Sequence, residues 1–300
     1  MEELITLYEL EPDVRDIFVE GRSDRNFLIE NLLDEDAAIL CSIYDVSDRV
    51  EIPDGELMDA GLLVGKRGRI LWLARQLSQR IPGHASAALV ADKDYASLDA
   101  DVKDEIHGLV YTDYSAMEAY ALNERTISKL LRVTLGAPEY VTPASLISAI
   151  KPSLISLFVI RLCLRESGTG ATIPEKTLHK WDLDDNSESR IREVFRLAIN
   201  NLPRDRRNGQ TPDLLYSSYA AYRKKVGAEY LDYVNGHDVS LAIVRFLKAE
   251  CTQVFNSDGR RPLQAPEVLE VVMMSCIEKS HLDSFPMFQT LRRWVKSGTW

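Results

Sequence analysis

Two short apolar runs, each ending in acid, constrain this chain more than any other feature. Ile17-Phe18-Val19 leads into Glu20 and Gly21, and Ala87-Ala88-Leu89-Val90-Ala91 leads into Asp92-Lys93-Asp94. The first reads as a strand, a tight turn at Gly21 and a helix beginning at Asp24 with Ser23 as its N-cap. The second reads as another buried strand. Alternation along an extended chain predicts that the Asp92 and Asp94 carboxylates lie on one side, with Lys93 on the other.

An acid at the C-terminal end of a strand points toward the crevice where α/β folds carry chemistry, so Glu20 is a candidate site residue; the same position also suits a solvated edge residue. Two like charges separated by one residue repel and are hard to justify as packing. They suit a hard divalent cation such as Mg²⁺, which takes oxygen ligands and keeps several waters.

Between these runs the pattern continues to alternate. The helix reaches about Leu33, and an acidic turn follows. Cys41 to Ile52 reads as a second strand ended by Pro53-Asp54-Gly55, and about Arg67 to Arg80 as a helix stopped by Pro82-Gly83. Leu109 to Leu122 reads as a short strand passing into a helix. This order implies an α/β layer with a largely parallel sheet over residues 1–125. Beyond that point strand signals nearly vanish, so 126–300 is expected to be mainly α-helical. Thr142-Pro143 and Thr211-Pro212 mark helix starts, and Pro152 is expected to break or kink the first of these helices. Helical patterns also cover about Glu188 to Ile199, Val239 to Cys251 and Glu267 to Glu278.

Composition narrows the class. A length of 300 residues with 45% hydrophobic content allows one large or two modest domains with packed cores. Cys41, Cys163, Cys251 and Cys276 have no CxxC or Cys/His spacing, which argues for reduced, buried thiols and a cytoplasmic protein. The acidic N-terminus is unlike a signal sequence, and the most apolar run, Leu154 to Cys163, is too short to span a bilayer, so no membrane role is expected. A net charge of −10 weighs against a nucleic-acid partner without excluding one, because an enzyme binding phosphate through cations needs clustered acids. No Walker-type loop or GxSxG elbow occurs.

Other residues admit two readings. Asp24 either complements the dipole of its helix or adds a carboxylate to the Glu20 corner. Glu118 has capping-box spacing with Ser115, and Asp113 either joins the acidic edge or ends its strand. Arg204, Arg206 and Arg207 crowd one loop, and Tyr216, Tyr219 and Tyr222 precede Lys224 and Lys225 at helical spacing. These form a surface for a phosphate backbone and stacked bases, or an ordinary solvated face. His237 and Asp238 follow the Asn235-Gly236 turn and read as a helix-start cap or as site residues.

EGRSDRNF followed by VADKD resembles the TOPRIM signature, and TDYSAMEAY resembles the narrower OLD-like TOPRIM nucleases, among them the nuclease effectors of the PARIS anti-phage system. The likeness covers about Val14 to Leu122 and extends loosely to NGHD at Asn235 to Asp238. It implies a Rossmann-like TOPRIM catalytic domain over 1–125, with a helical region over 126–300 for substrate groove, partner contact or dimerisation. It further implies a metal-dependent endonuclease using one or two Mg²⁺ or Mn²⁺ ions, with Glu20, Asp92 and Asp94 as catalytic ligands and Asp24 and Glu118 as ligands of a second ion. A basic residue near the scissile phosphate is also implied, with Lys93, Arg204, Arg206, Arg207, Lys224, Lys225 and His237 as candidate substrate contacts. The implied partners are DNA or tRNA as substrate and an ABC-type ATPase, with a homodimer left open. A non-catalytic subunit of an ATPase complex, or a TOPRIM enzyme of DNA repair or topology, remains as the alternative.

Overall fold

The computed structural model describes residues 1–33, 41–83, 85–98 and 106–300; the acidic turn expected after Leu33 lies outside them. The described residues form two compact units. One comprises residues of 1–93, 106–113 and 278–300, the other 94–98 and 114–277. Thus the last residues of the chain, expected in the helical region, belong with the N-terminal unit, and Asp94 and Glu118 belong to the second unit.

The first unit is built on four parallel strands in the order β2-β1-β3-β4: β1 Arg15–Val19, β2 Cys41–Asp45, β3 Ala87–Ala91 and β4 Leu109–Tyr111. Phe18, Ala87, Leu89 and Ala91 point to one face, into a core with Leu4 and Tyr8 of α1 (Glu2–Leu10) and with Ile70, Leu73 and Leu77 of a long helix (Lys66–Arg80). Ile17 and Val19 alternate to the other face. There α2 (Arg22–Leu32) meets the C-terminal helix (Pro286–Ser297), with the Phe27 and Phe288 rings edge to face at 6.2 Å. Buried on both faces, β1 and β3 show the continuous apolar runs of covered parallel sheets. Tyr8 donates to Asp16 at 2.9 Å, and burial raises the pKa of that carboxyl group while the Tyr8 bond opposes the rise.

Several local expectations are corrected. The helix after β1 begins at Arg22, with Gly21 as an extended N-cap; Ser23 lies inside it. The strand expected over Cys41 to Ile52 stops at Asp45, whose carboxylate accepts the Ser47 N–H at 2.9 Å and starts a helical turn over Val46–Arg49. The helix α3 (Lys66–Arg80) matches its expected span closely.

The second unit is helical and centres on α4 (Pro143–Glu166), which Thr142 and Ser145 cap reciprocally and which runs unbroken through Pro152. It is 24 residues long and apolar enough to cross a membrane by length and composition, contrary to the short run expected, but 67% of its apolar window is buried inside the protein. That burial is the ordinary setting of a core helix. Against it pack α5 (Glu188–Asn200) and α6 (Pro212–Arg223), where Tyr219 donates to Ser156 at 3.2 Å. The next helices are α7 (Gly236–Glu250) and α8 (Pro266–Ser275). Asp238, in the first turn of α7, accepts two bonds from Arg161 of α4 at 2.8 and 2.6 Å and is therefore an anchor within the core. All four cysteines are free and buried, and burial pushes Cys41 and Cys163 up to about 12, so neither is a reactive thiolate.

Leu73 is fully buried beneath the sheet. Leu73→Ala should cost about 2–5 kcal/mol, seen as a lower urea midpoint at unchanged m-value.

Candidate functional site

The strand order dictates where chemistry can gather in the first unit. The chain leaves β1 on one side to form β2 and crosses to the other side to form β3 and β4, so the order reverses between β1 and β3. Side chains following two such strands flank a crevice at their carboxyl ends. Glu20 follows β1 and Asp92 follows β3, and the Asp92 backbone N–H donates to Glu20 Oε1 at 3.0 Å. Two acids that are far apart in sequence therefore meet at the topological switch point.

Cations surround this pair. A Cβ on Gly21 would lie 3.4 Å from Lys66 Nζ and 3.6 Å from Asp24 Oδ2, so both charges approach the turn that carries Glu20. Lys66 also pairs with the buried Asp45 at 3.3 Å. Arg67 donates from Nη1 to the Asp92 carbonyl, and its guanidinium stands 5.7 Å from the centre of the Tyr111 ring at the end of β4. Lys93 is fixed through its N–H on Thr112 Oγ1 at 2.9 Å, with Nζ 3.5 Å from the Asp113 carbonyl. An open cleft of about 370 Å³ lies at the end of β2, lined by Arg22, Arg25, Asn26, Tyr44, Asp45 and Asp48.

Lys66 and Arg67 are residues that sequence reasoning missed. Their signal was available, since two bases and no acid in the first turn of a helix oppose its dipole and call for another explanation. Gly68 completes the arrangement. A Cβ there would collide with the Leu63 carbonyl, so the loop before α3 can fold tightly over its first turn only with glycine at this position.

The remaining expected acids are placed differently. The strand ends at Ala91, and Asp94 has a left-handed backbone with φ 49°, so the alternation that would set Asp92 and Asp94 side by side does not apply. Asp94 lies in the second unit, where its N–H donates to the Ser115 carbonyl at 2.8 Å and its carboxylate pairs with Arg165 at 3.6 Å. Asp113 accepts the Met287 N–H at 3.3 Å and so serves the first turn of the C-terminal helix. Ser115 forms no capping box with Glu118. Its hydroxyl lies 2.8 and 2.6 Å from the carbonyls of Leu231 and Val234 and accepts the Val234 N–H at 3.0 Å.

Glu118, in a short 3₁₀ turn (Met117–Ala121), instead converges with His237 at the start of α7 and Glu270 of α8. One ligand atom from each lies within 4.8 Å of the others. His237 Nδ1 is 3.2 Å from Glu270 Oε2, while its ring remains 83% exposed. The Glu270 hydrogen bond is the main cause that raises the His237 pKa to about 9; burial opposes the rise, and the charges of Glu270, Glu118 and Asp238 add to it.

The basic candidates of the helical region serve various local roles. Arg207 caps the end of α5, donating to the Leu202 and Asn200 carbonyls at 3.3 and 3.4 Å. Arg204 and Arg206 stand exposed in the turn before α6, and Lys224 is exposed just after that helix. Lys225 lies over Tyr222 at 4.9 Å, and Tyr216 carries the Arg192 guanidinium at 4.3 Å. The tyrosines thus have intramolecular partners.

No protein-family model matches the chain, and no curated protein matches it either.

Glu270→Gln should return His237 toward its ordinary value, read from imidazole proton shifts across a pH titration. With a raised folded-state value, the His237 contribution to stability is complete below about pH 6.5 and fades as the pH rises through about 9. The variant should lose that dependence.

Proposed function

We propose that this protein is a metal-dependent nuclease of the OLD-like TOPRIM type, cleaving phosphodiester bonds of DNA or tRNA as an intracellular effector of anti-phage defence under the control of an ABC-type ATPase. The reading rests above all on one observation, the bond from the Asp92 N–H to the Glu20 carboxylate at the switch point of a parallel sheet.

The donor chemistry fits a hard divalent cation. Glu20 and Asp92 offer oxygen ligands alone, and the fixed Oε1 gives Glu20 a defined orientation before any ion arrives. Glu20 and Asp92 are the proposed ligands of a first Mg²⁺ or Mn²⁺, and the Asp24 carboxylate approaches the Gly21 turn that follows Glu20. When bound, such an ion polarises a phosphoryl oxygen and offsets the charge developing on the leaving oxygen.

The chain's own residues do the rest. Arg67, whose Nη1 donates to the Asp92 carbonyl, holds a planar guanidinium beside the acids, the kind of group that recognises phosphate. Lys66 and Lys93 add positive potential at the same corner, and Arg22 and Arg25 extend it along the cleft beside β2. Acids alone would repel a polyanion. The interleaved bases let a nucleic-acid backbone approach a protein whose net charge is −10.

Purified protein should cleave plasmid DNA, single-stranded DNA or tRNA in Mg²⁺ or Mn²⁺, and EDTA should stop it. Glu20→Gln and Asp92→Asn should abolish cleavage with unchanged circular dichroism, and Arg67→Ala should lower kcat by about 10²–10³-fold. Full activity in Glu20→Gln would overturn the reading. Activity that emerges only with a co-expressed ATPase would assign the trigger to that partner.

A further inference from the structure

The loop ahead of α3 carries two side chains that neither the core nor the acidic corner uses. Leu57 and Leu62 pack into the core beneath the sheet, whereas Leu63 and Val64 stand 68% and 46% exposed, side by side, at the tip of the loop. A single exposed aliphatic residue calls for no account, but two in succession on a fixed tip do.

The tip is fixed from both sides. The Leu62 N–H donates to the Leu57 carbonyl at 2.8 Å, the Gly61 N–H to the Met58 carbonyl at 3.0 Å, and Arg75 of α3 to the Ala60 carbonyl at 3.1 Å. On the other side the Leu63 carbonyl lies where a Cβ on residue 68 would be, and Gly68 leaves that space open. Gly61 and Gly65 have positive φ and turn the chain into and out of the tip. A loose loop could fold its aliphatic side chains down; this one holds them in water, at a hydrophobic cost.

The residues that follow are cations turned to the acidic corner. Lys66 Nζ approaches the Gly21 turn, and Arg67 donates to the Asp92 carbonyl. Val64 is two residues from Lys66, so their Cα atoms are at most about 7 Å apart, about two nucleotide steps along one stacked strand. An aliphatic tip beside two cations suits a ligand that is anionic along its length and has flat apolar faces between its charges, as a nucleic-acid strand does. A protein covering the tip would need acids for Lys66 and Arg67, yet both are turned inward to the chain's own corner.

We infer that Leu63 and Val64 form a wedge that enters the base stack of the nucleic acid beside the bond to be cut, a role that rests on the nuclease reading and specifies its substrate as a strand with parted bases. Aliphatic side chains inserted between base steps unstack and kink a duplex. Parting is easiest where a bulge or mismatch already interrupts the stack, so such sites are the preferred ones.

The test uses the full chain with DNA and RNA hairpins, either fully paired or carrying a bulge, with 2-aminopurine placed at each position in turn. Binding is followed in the Glu20→Gln background and cleavage in the wild-type background. Protein with the native tip should raise 2-aminopurine fluorescence at one or two positions beside the cleaved bond. The double variant Leu63→Ser, Val64→Ser should lose that rise and cut paired hairpins about tenfold or more slowly, while its cleavage of bulged hairpins stays near the wild-type rate. Both side chains are exposed, so the double variant should melt as the wild type does, and Leu63→Met with Val64→Ile, which keeps an aliphatic tip, should retain the fluorescence rise. Equal fluorescence and equal cleavage of paired hairpins with the native and serine tips would overturn the wedge and leave the nuclease reading standing. Loss of a co-purifying protein in the serine variant, with the fluorescence rise intact, would assign the tip to a protein partner and overturn the wedge as well. Wild type that neither binds nor cuts any hairpin would overturn the nuclease reading, and the wedge with it.

Discussion

The parallel pairing of β1 with β3 is the constraint on which the first unit depends. Asp16, Ile17 and Phe18 stand opposite Ala87, Ala88 and Leu89, and continuing that register brings the chain after Val19 beside the chain after Ala91. A slip of one residue would turn Phe18 out of one core and Ile17 out of the other, exchanging the faces of a strand that is fully buried on both. Hydrophobic burial therefore fixes the register. The register in turn sets the Asp92 N–H against Glu20 Oε1, so an apolar constraint positions a polar site.

The buried acids outside that corner illustrate what an ordinary carboxylate does in this fold. Asp16 takes the Tyr8 hydroxyl, Asp45 caps a turn and receives Lys66, and Asp238 is held by two nitrogens of Arg161. Each of these three carboxylates has a compensating partner, as burial requires. Arg161 makes the balance explicit. Burial opposes its charge, but the hydrogen bonds and charge of Asp238 prevail and its pKa is raised.

What was legible in the sequence followed from local rules. Apolar runs ending in acid gave the strands at Ile17 and Ala87, Thr-Pro pairs gave the starts of α4 and α6, and the helical pattern gave α3 almost to the residue. Legibility ended where a residue's partner is remote. Ser115 looked like half of a capping box because Glu118 is three residues away, yet its hydroxyl is used by Leu231 and Val234. Asp113 serves Met287, and Phe27 meets Phe288, contacts that draw the C-terminal helix into the first unit and that no local pattern records. The left-handed conformation of Asp94 is another such case, because alternation describes strands and the strand had already ended. Arg67 escaped notice for the opposite reason. Its helix was so readily explained by the apolar face from Ile70 to Leu77 that the two bases at its unfavourable end were passed over.

The two acidic groups differ in a way that bears on how the protein handles charge. Around Glu20 the neighbouring cations are Lys66, Arg67 and Lys93, of which Arg67 donates to the Asp92 carbonyl and Lys66 pairs with the buried Asp45. Around Glu118 the chain supplies its own counterion in His237, whose raised pKa keeps the ring protonated near neutrality.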